Sequence, residues 1–270
     1  MVEISEKYKI GTRRFGSINW IGAWTLYKKE VLRFLIVWIQ TLFSPLITSL
    51  LFLSVLSLAI GNDRGDVLGV PFIVFLAPGL IAMQIIQQAF SHSSSSFMIG
   101  KIQGNIVDLL YAPLSAGEVT LAVTLASVTR SVLIAVISLL VFYLFIDLEI
   151  KNFTTLIMFT LLSAFSLGAL GIIAGLWAEK FDHMATVTNF IIIPLSFLSG
   201  TFYSIERLPE VLQIISKANP FFYMIDGFRY SFLGQSDGSI FFGLVYLSIL
   251  SLLMWFIAYI LYKKGYKLKS

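Results

Sequence analysis

The sequence predicts an all-α integral membrane protein with six transmembrane helices. Two observations carry this. Of 270 residues, 57% are hydrophobic and 13% are charged, whereas a soluble domain is about one quarter charged and no more than about half apolar. Six separate apolar stretches also reach the ~20 residues a helix needs to cross a bilayer core of about 30 Å. Together they exclude a soluble enzyme and a disordered chain. Cysteine is absent, which removes disulfides, thiol nucleophiles and cysteine metal sites. The two histidines, His92 and His183, do not make a zinc site by themselves. A net charge of +4 is too small for a nucleic-acid binder unless clustered, and here it clusters at the chain ends, so no nucleic-acid partner is expected.

The chain divides into residues 1–33, a membrane domain over 34–262, and a basic tail over 263–270. Residues 1–33 hold no long apolar core with a cleavage signature, so no signal peptide is expected. Within them, 18–33 place Trp20, Trp24 and Tyr27 at i, i+4 and i+7, followed by Lys28, Lys29 and Arg33. Aromatic and basic residues in that order suit a helix lying in the membrane interface. A plain extension of the first span fits equally. The spans are expected at 34–60, with Pro45 inside, then 70–93, 119–146, 154–177, 184–203 and 240–262.

Basic residues set the orientation. Lys7, Lys9, Arg13, Arg14, Lys28, Lys29, Arg33, Lys101, Lys180, Lys263, Lys264, Lys267 and Lys269 fall on one side of this arrangement. Arg64, Lys151, Arg207, Lys217 and Arg229 fall on the other, and Arg130 lies within a span. Positive residues concentrate on the cytoplasmic side, so both termini are expected there.

Several segments carry more than a membrane crossing. Between the second and third spans, Ile102, Ile106, Leu109 and Leu110 recur at helical spacing, with Lys101, Gln103, Asn105 and Asp108 on the other face, and Pro113 and Gly117 end the pattern. This short amphipathic helix buries its apolar face either in the membrane interface or in a groove on a cytosolic partner. In the second span, Gln84, Gln87, Gln88, Ser91, His92 and Ser95 share a face. Amides are costly against lipid, so this face either lines a transport path or bonds to neighbouring helices. Arg130 sits about 18 Å into the third span and needs a partner or water. In the fourth span, Ala164, Gly168, Gly171 and Gly175 make a small-residue seam for close helix packing, within the chain or across a dimer.

After the fifth span, Pro194 and Gly200 break the helix, and 206–218 read as an amphipathic helix with Leu208, Leu212 and Ile215 on one face. Pro209 lies within it and Asn219-Pro220 ends it. A second short helix carries Asp226 and Arg229 at i, i+3, spaced for an ion pair. Irregular backbone at membrane depth must be buried in protein or face water, so 194–234 is expected to form a re-entrant cap on the outer side. No Walker A sequence, HExxH or GxSxG occurs. Catalysis lacks support, and active transport would draw energy from another subunit or an ion gradient.

Four stretches, in order, resemble one family. KEVLRFLIVWIQTLFSPLIT at 29–48, KIQGNIVDLLYAPLS at 101–115, PLSFLSGTFYSIERLP at 194–209 and NPFFYMIDGFRYSFLG at 219–234 resemble the membrane subunit of type-2 ABC exporters of the drug-resistance and nodulation-factor-export kind. The resemblance covers about residues 20–268. It implies that 101–110 is a coupling helix docking on an ATPase, through Lys101, Ile102, Asn105, Ile106, Asp108, Leu109 and Leu110. It implies a second permease copy, two ATP-binding subunits, and no cofactor on this chain, with ATP and Mg held by the partner. The function implied is export of an amphipathic, lipid-linked or drug-like substrate. Export of polysaccharide or glycolipid is the variant within the class, and an ion-coupled secondary transporter the alternative outside it.

Overall fold

Long apolar runs in lipid fold as helices because a helix satisfies every backbone N–H and C=O within its own segment. The computed structural model describes residues 18–60 and 65–268, and among them the only β feature is an isolated Val67–Val70 bridge. Of the basic residues counted above, Lys7, Lys9, Arg13, Arg14, Arg64 and Lys269 lie outside the described residues.

The helices are α1 (Trp20–Ile36), α2 (Ser44–Ile60), α3 (Phe72–Ile102), α4 (Ile106–Tyr111), α5 (Ala116–Tyr143), α6 (Phe153–Trp177), α7 (Phe181–Val187), α8 (Ile193–Leu198), α9 (Glu210–Ala218), α10 (Pro220–Leu233) and α11 (Ile240–Lys263). Six stretches are long and apolar enough to cross a membrane: Ile39–Ala59, α3, α5, α6, Phe181–Leu198 and α11. The expected number and order of spans hold.

The first and the fifth spans each carry a proline and share its local consequence. Pro45 and Pro194 lack the N–H that would bond back one turn, and a proline ring crowds the preceding turn. Before each, the helix widens into a five-residue π turn, Ile39–Phe43 and Thr188–Ile192, a known way to absorb such a lesion. Proline therefore widens the first and fifth spans without ending them. The fifth runs from Phe181 to Leu198, not from 184 to 203. The first begins after α1, which stops at Ile36 with Val37 in a non-helical conformation. Residues 34–36, expected in the span, belong to α1.

The second span extends nine residues past its expected end at 93. The serine run stays helical because its hydroxyls bond back within the helix: Ser94 Oγ donates to the Ser91 carbonyl (3.3 Å) and Ser95 Oγ to that of His92 (3.0 Å). The helix ends only at Gln103, before Gly104 with φ +76°. The expected helix over 101–110 is therefore split. Residues 101 and 102 finish α3, and α4 covers 106–111.

α3 is the centre of the bundle. Of its most apolar window 78% is buried, against 17% for the fifth and sixth spans, and α5, α6 and α10 pack around it. The glycine seam of α6 explains how closely. A Cβ on Gly171 would lie 2.5 Å from the Phe90 carbonyl oxygen, and one on Gly175 2.8 Å from that of Ser94. Only hydrogen fits, so the seam packs within the chain, α6 on α3.

Candidate functional site

Three clusters of polar or exposed residues lie at different levels of the bundle. The first surrounds α4. Lys101 ends α3 and points across to the end of α6, where its ammonium donates to the carbonyls of Leu176 (2.9 Å) and Ala178. These are orphan acceptors of a helix C-terminus, and a cation there is favourable. Lys101 was expected on the polar face of a docking helix, but it is a structural tie between two spans.

A second tie holds the far side of α4. Ser115 caps α5 in a reciprocal box with Glu118: the Glu118 backbone N–H donates to Ser115 Oγ (3.3 Å), and Glu118 Oε2 accepts from the Ser115 backbone N–H (2.6 Å). Glu118 Oε1 also accepts from the Asn19 backbone N–H (2.6 Å), and Asn19 Nδ2 donates to the Pro113 carbonyl (3.1 Å). The start of α1 is thus fastened to the corner between α4 and α5. The S-x-x-E pattern at 115–118 is a readable capping-box signal, and sequence reasoning missed it along with Asn19.

Between these ties α4 presents two faces. Ile106 is buried and Leu109 half-buried against Leu26, Phe97 and Tyr262. Ile102, Val107, Leu110 and Tyr111 are exposed, Tyr111 at 86%. The expected outward face therefore divides. Ile102 and Leu110 point out, Ile106 and Leu109 point in, and Val107 and Tyr111 replace them. Asn105 and Asp108 are exposed. The outward side borders a groove of about 1120 Å³, which also reaches Lys101, Glu179, Lys267 and Leu268. Glu179 and Lys267 pair at 2.7 Å. The hydrogen bond from Lys267 holds the Glu179 carboxyl below its usual range, and the same bond raises Lys267.

The second cluster is the polar stripe of α3. Gln88 Oε1 accepts from Arg130 Nη2 of α5. One turn on, Arg33 of α1 donates to the His92 carbonyl (3.0 Å), to Ser95 Oγ (3.3 Å) and to Glu30 (2.9 Å). Glu30 is buried, and its carboxylate lies 3.7 Å from His92 Nε2. Gln84 and His92 are buried and Gln87 half-buried. The stripe thus bonds α3 to α5 and α1, and Arg130 has a side-chain partner. Sequence reasoning missed Glu30 and treated Arg33 only as a surface charge. Their i, i+3 spacing opposite an intramembrane histidine was the available clue.

The third cluster is at the opposite end. Arg229, 1% exposed, donates to the carbonyls of Gly200 (2.6 Å) and Thr201 (3.4 Å) and stacks on Phe75, its guanidinium carbon 3.9 Å from the ring centroid. Asp226 accepts from the backbone N–H groups of Asp237 and Gly238, each at 3.0 Å. The two were expected to pair with each other. Among the described residues no ion pair joins them, because each is spent on a different turn: Arg229 holds 200–201 and Asp226 holds 237–238. Asn219 caps α10 through the Phe221 N–H and donates to the Leu195 carbonyl and Ser199 Oγ. Pro220 opens α10 and Pro209 precedes α9, as helix-start prolines do. α10 is buried almost throughout, while α9 turns Val211 and Ile214 outward.

The sequence profile of the ABC-2 type transporter family matches residues 22–233. The chain is 33% identical to the inner membrane transport permease YadH of Escherichia coli K12 over 220 residues, covering 82% of this chain and 86% of YadH. It is 26% identical to nodulation protein J of Rhizobium leguminosarum bv. trifolii over 231 residues, covering 82% of this chain and 83% of that protein.

Proposed function

This chain belongs to the ABC-2 type transporter family, and from that premise we propose that it is the permease subunit of an ATP-driven exporter, with ATP and Mg bound and hydrolysed on a separate ATP-binding subunit. One observation supports this above the others. Between the end of the central span α3 and the start of α5, a short helix turns Val107, Leu110 and Tyr111 outward while its flanks are tied down by Lys101 and Glu118. A rigidly mounted apolar face at the junction of α3 and α5 is suited to receive a push and pass it into the bundle. A helix that only rested on lipid would need no such mounting.

In this reading α4, the residues before the first span and those after the last span face the cytoplasm, as the basic residues on that side favour, and the chain sits in a bacterial inner membrane like its YadH relative. A second copy of the permease completes the pathway. The substrate is an amphipathic, lipid-linked or drug-like molecule taken from the cytoplasm or inner leaflet. The 194–234 segment closes the outer side, with α10 as its buried part, and α1 lies at the inner interface.

Copurification tests the reading. Desolvated apolar anchors dominate binding while rim charges tune it. Leu110→Asp combined with Val107→Asp should abolish recovery of the ATP-binding subunit, yet leave the detergent-purified permease with an unchanged melting profile, since both side chains already face outward. An intact complex carrying both aspartates would remove α4 as the docking element.

A further inference from the structure

We infer that residues 265–268, which follow the last span, form one wall of the partner-docking surface, so that the partner is gripped from two sides. The inference rests on the reading above only for the partner's identity as the ATP-binding subunit. Its geometry is independent.

Four observations place these residues. Leu268 is 4% exposed and belongs to the same apolar cluster as Ile106 and Tyr262, so it is anchored beneath α4. Lys267 is held at φ +49°, a left-handed conformation that a non-glycine residue keeps only when its surroundings impose it. The Tyr266 N–H returns to the Leu261 carbonyl at 3.0 Å, closing the segment into a hook on the end of α11. Lys267 then reaches Glu179, just past α6, at 2.7 Å. Three chain segments distant in sequence meet here: α4, the turn after α6, and the hook.

The cavity between them has Ile102, Val107 and Leu110 on one wall, with Lys267 and Leu268 on the other. Its interior is mainly apolar. Lys180, next to Glu179 in sequence, and Lys263 and Lys264, just before the hook, are all exposed. The occupant that fits is an apolar projection of a protein partner with acidic residues around its base. A helix of six residues alone offers one contact line, about which a partner could pivot. A second wall carried by the last span fixes the partner's angle and connects it to α11 as well as to α3 and α5.

The absence of native cysteine makes footprinting direct. Single cysteines are introduced as Tyr111→Cys on α4, Lys267→Cys on the hook and Asp66→Cys at the opposite end of the bundle. Maleimide labelling of the purified full-length permease is timed with and without a saturating amount of ATP-binding subunit. Labelling should slow at least tenfold at both Tyr111→Cys and Lys267→Cys and stay unchanged at Asp66→Cys. Unchanged labelling at Lys267→Cys beside protection at Tyr111→Cys would overturn the two-walled site while leaving docking on α4 intact. Unchanged labelling at both would overturn the docking reading and the inference with it.

Discussion

Gly171→Ala should destabilise the protein although alanine is the better helix former. The added Cβ would lie 2.5 Å from the Phe90 carbonyl oxygen, 3.0 Å from Ser93 Cβ and 3.2 Å from the Ser94 nitrogen. Ordinary contact starts near 3.4 Å, so α3 and α6 must part by about 1 Å. The first obstacle is backbone, which cannot rotate away. A radial gap of 0.5–1 Å forfeits roughly a quarter to a half of each dispersion contact, and overpacking of this kind costs about 1–3 kcal/mol. An obstacle in the backbone of the central helix puts the cost near ~3 kcal/mol. Helix propensity returns about 1 kcal/mol. The net loss of ~2 kcal/mol corresponds to an apparent Tm lower by about 4–8 °C. Gly117→Ala is the control, because nothing lies closer than 3.9 Å to its added Cβ. Thermal melting of the two variants in detergent decides. If Gly171→Ala melts at or above wild type, as Gly117→Ala should, the close approach of α6 to α3 is wrong.

Three further outcomes follow from the polar clusters. Gln88→Leu should lower thermal stability more than the pair Gln88→Leu with Arg130→Met, because the single change strands a buried guanidinium; leaving a buried donor unsatisfied costs about 1–3 kcal/mol, more when it is charged, and melting of both variants measures the difference. Arg229→Gln should speed hydrogen exchange around residues 199–202, and Asp226→Asn around 236–239, each leaving the other turn protected; exchange at both turns in either variant would restore the ion pair. The Glu179–Lys267 tie should be insensitive to pH between 5 and 9: the lowered carboxyl keeps its contribution until pH falls through that depressed value, and the raised ammonium keeps its own until pH rises through that elevated one. Labelling of Tyr266→Cys, normalised to free cysteine across this range, should stay flat.

Much of this architecture was legible because lipid imposes a simple demand. Apolar runs of 20 residues have few alternatives to crossing, so the six spans and their order follow from composition. The glycine seam was readable as close packing, since small residues at i, i+4 have few other uses there. Boundaries were less legible. The span was ended at 93, within a serine run, yet hydroxyls that bond back to their own helix and lie against a glycine seam belong inside a bundle. Pro194 was read as a break, but a single π turn absorbs it, as another does at Pro45. Spacing also misled where competing partners exist. Asp226 and Arg229 stand one turn apart, and each finds a better match in backbone groups of another segment. Lys101 was assigned by helical spacing to the polar face of a docking helix, while the open carbonyls at the end of α6 recruit it. Such long-range partners depend on which helix ends come together, and local pattern does not record that.

ATP turnover measured in proteoliposomes tests the coupling of this permease to its partner most directly. The ATP-binding subunit is assayed alone, with the wild-type permease, and with the Val107→Asp, Leu110→Asp permease reconstituted at equal density. Permease-dependent coupling predicts that wild type changes the hydrolysis rate at least several-fold and that the aspartate variant returns it to that of the isolated subunit. Identical rates in all three preparations would contradict the claim that this chain transmits the partner's ATP hydrolysis into the membrane.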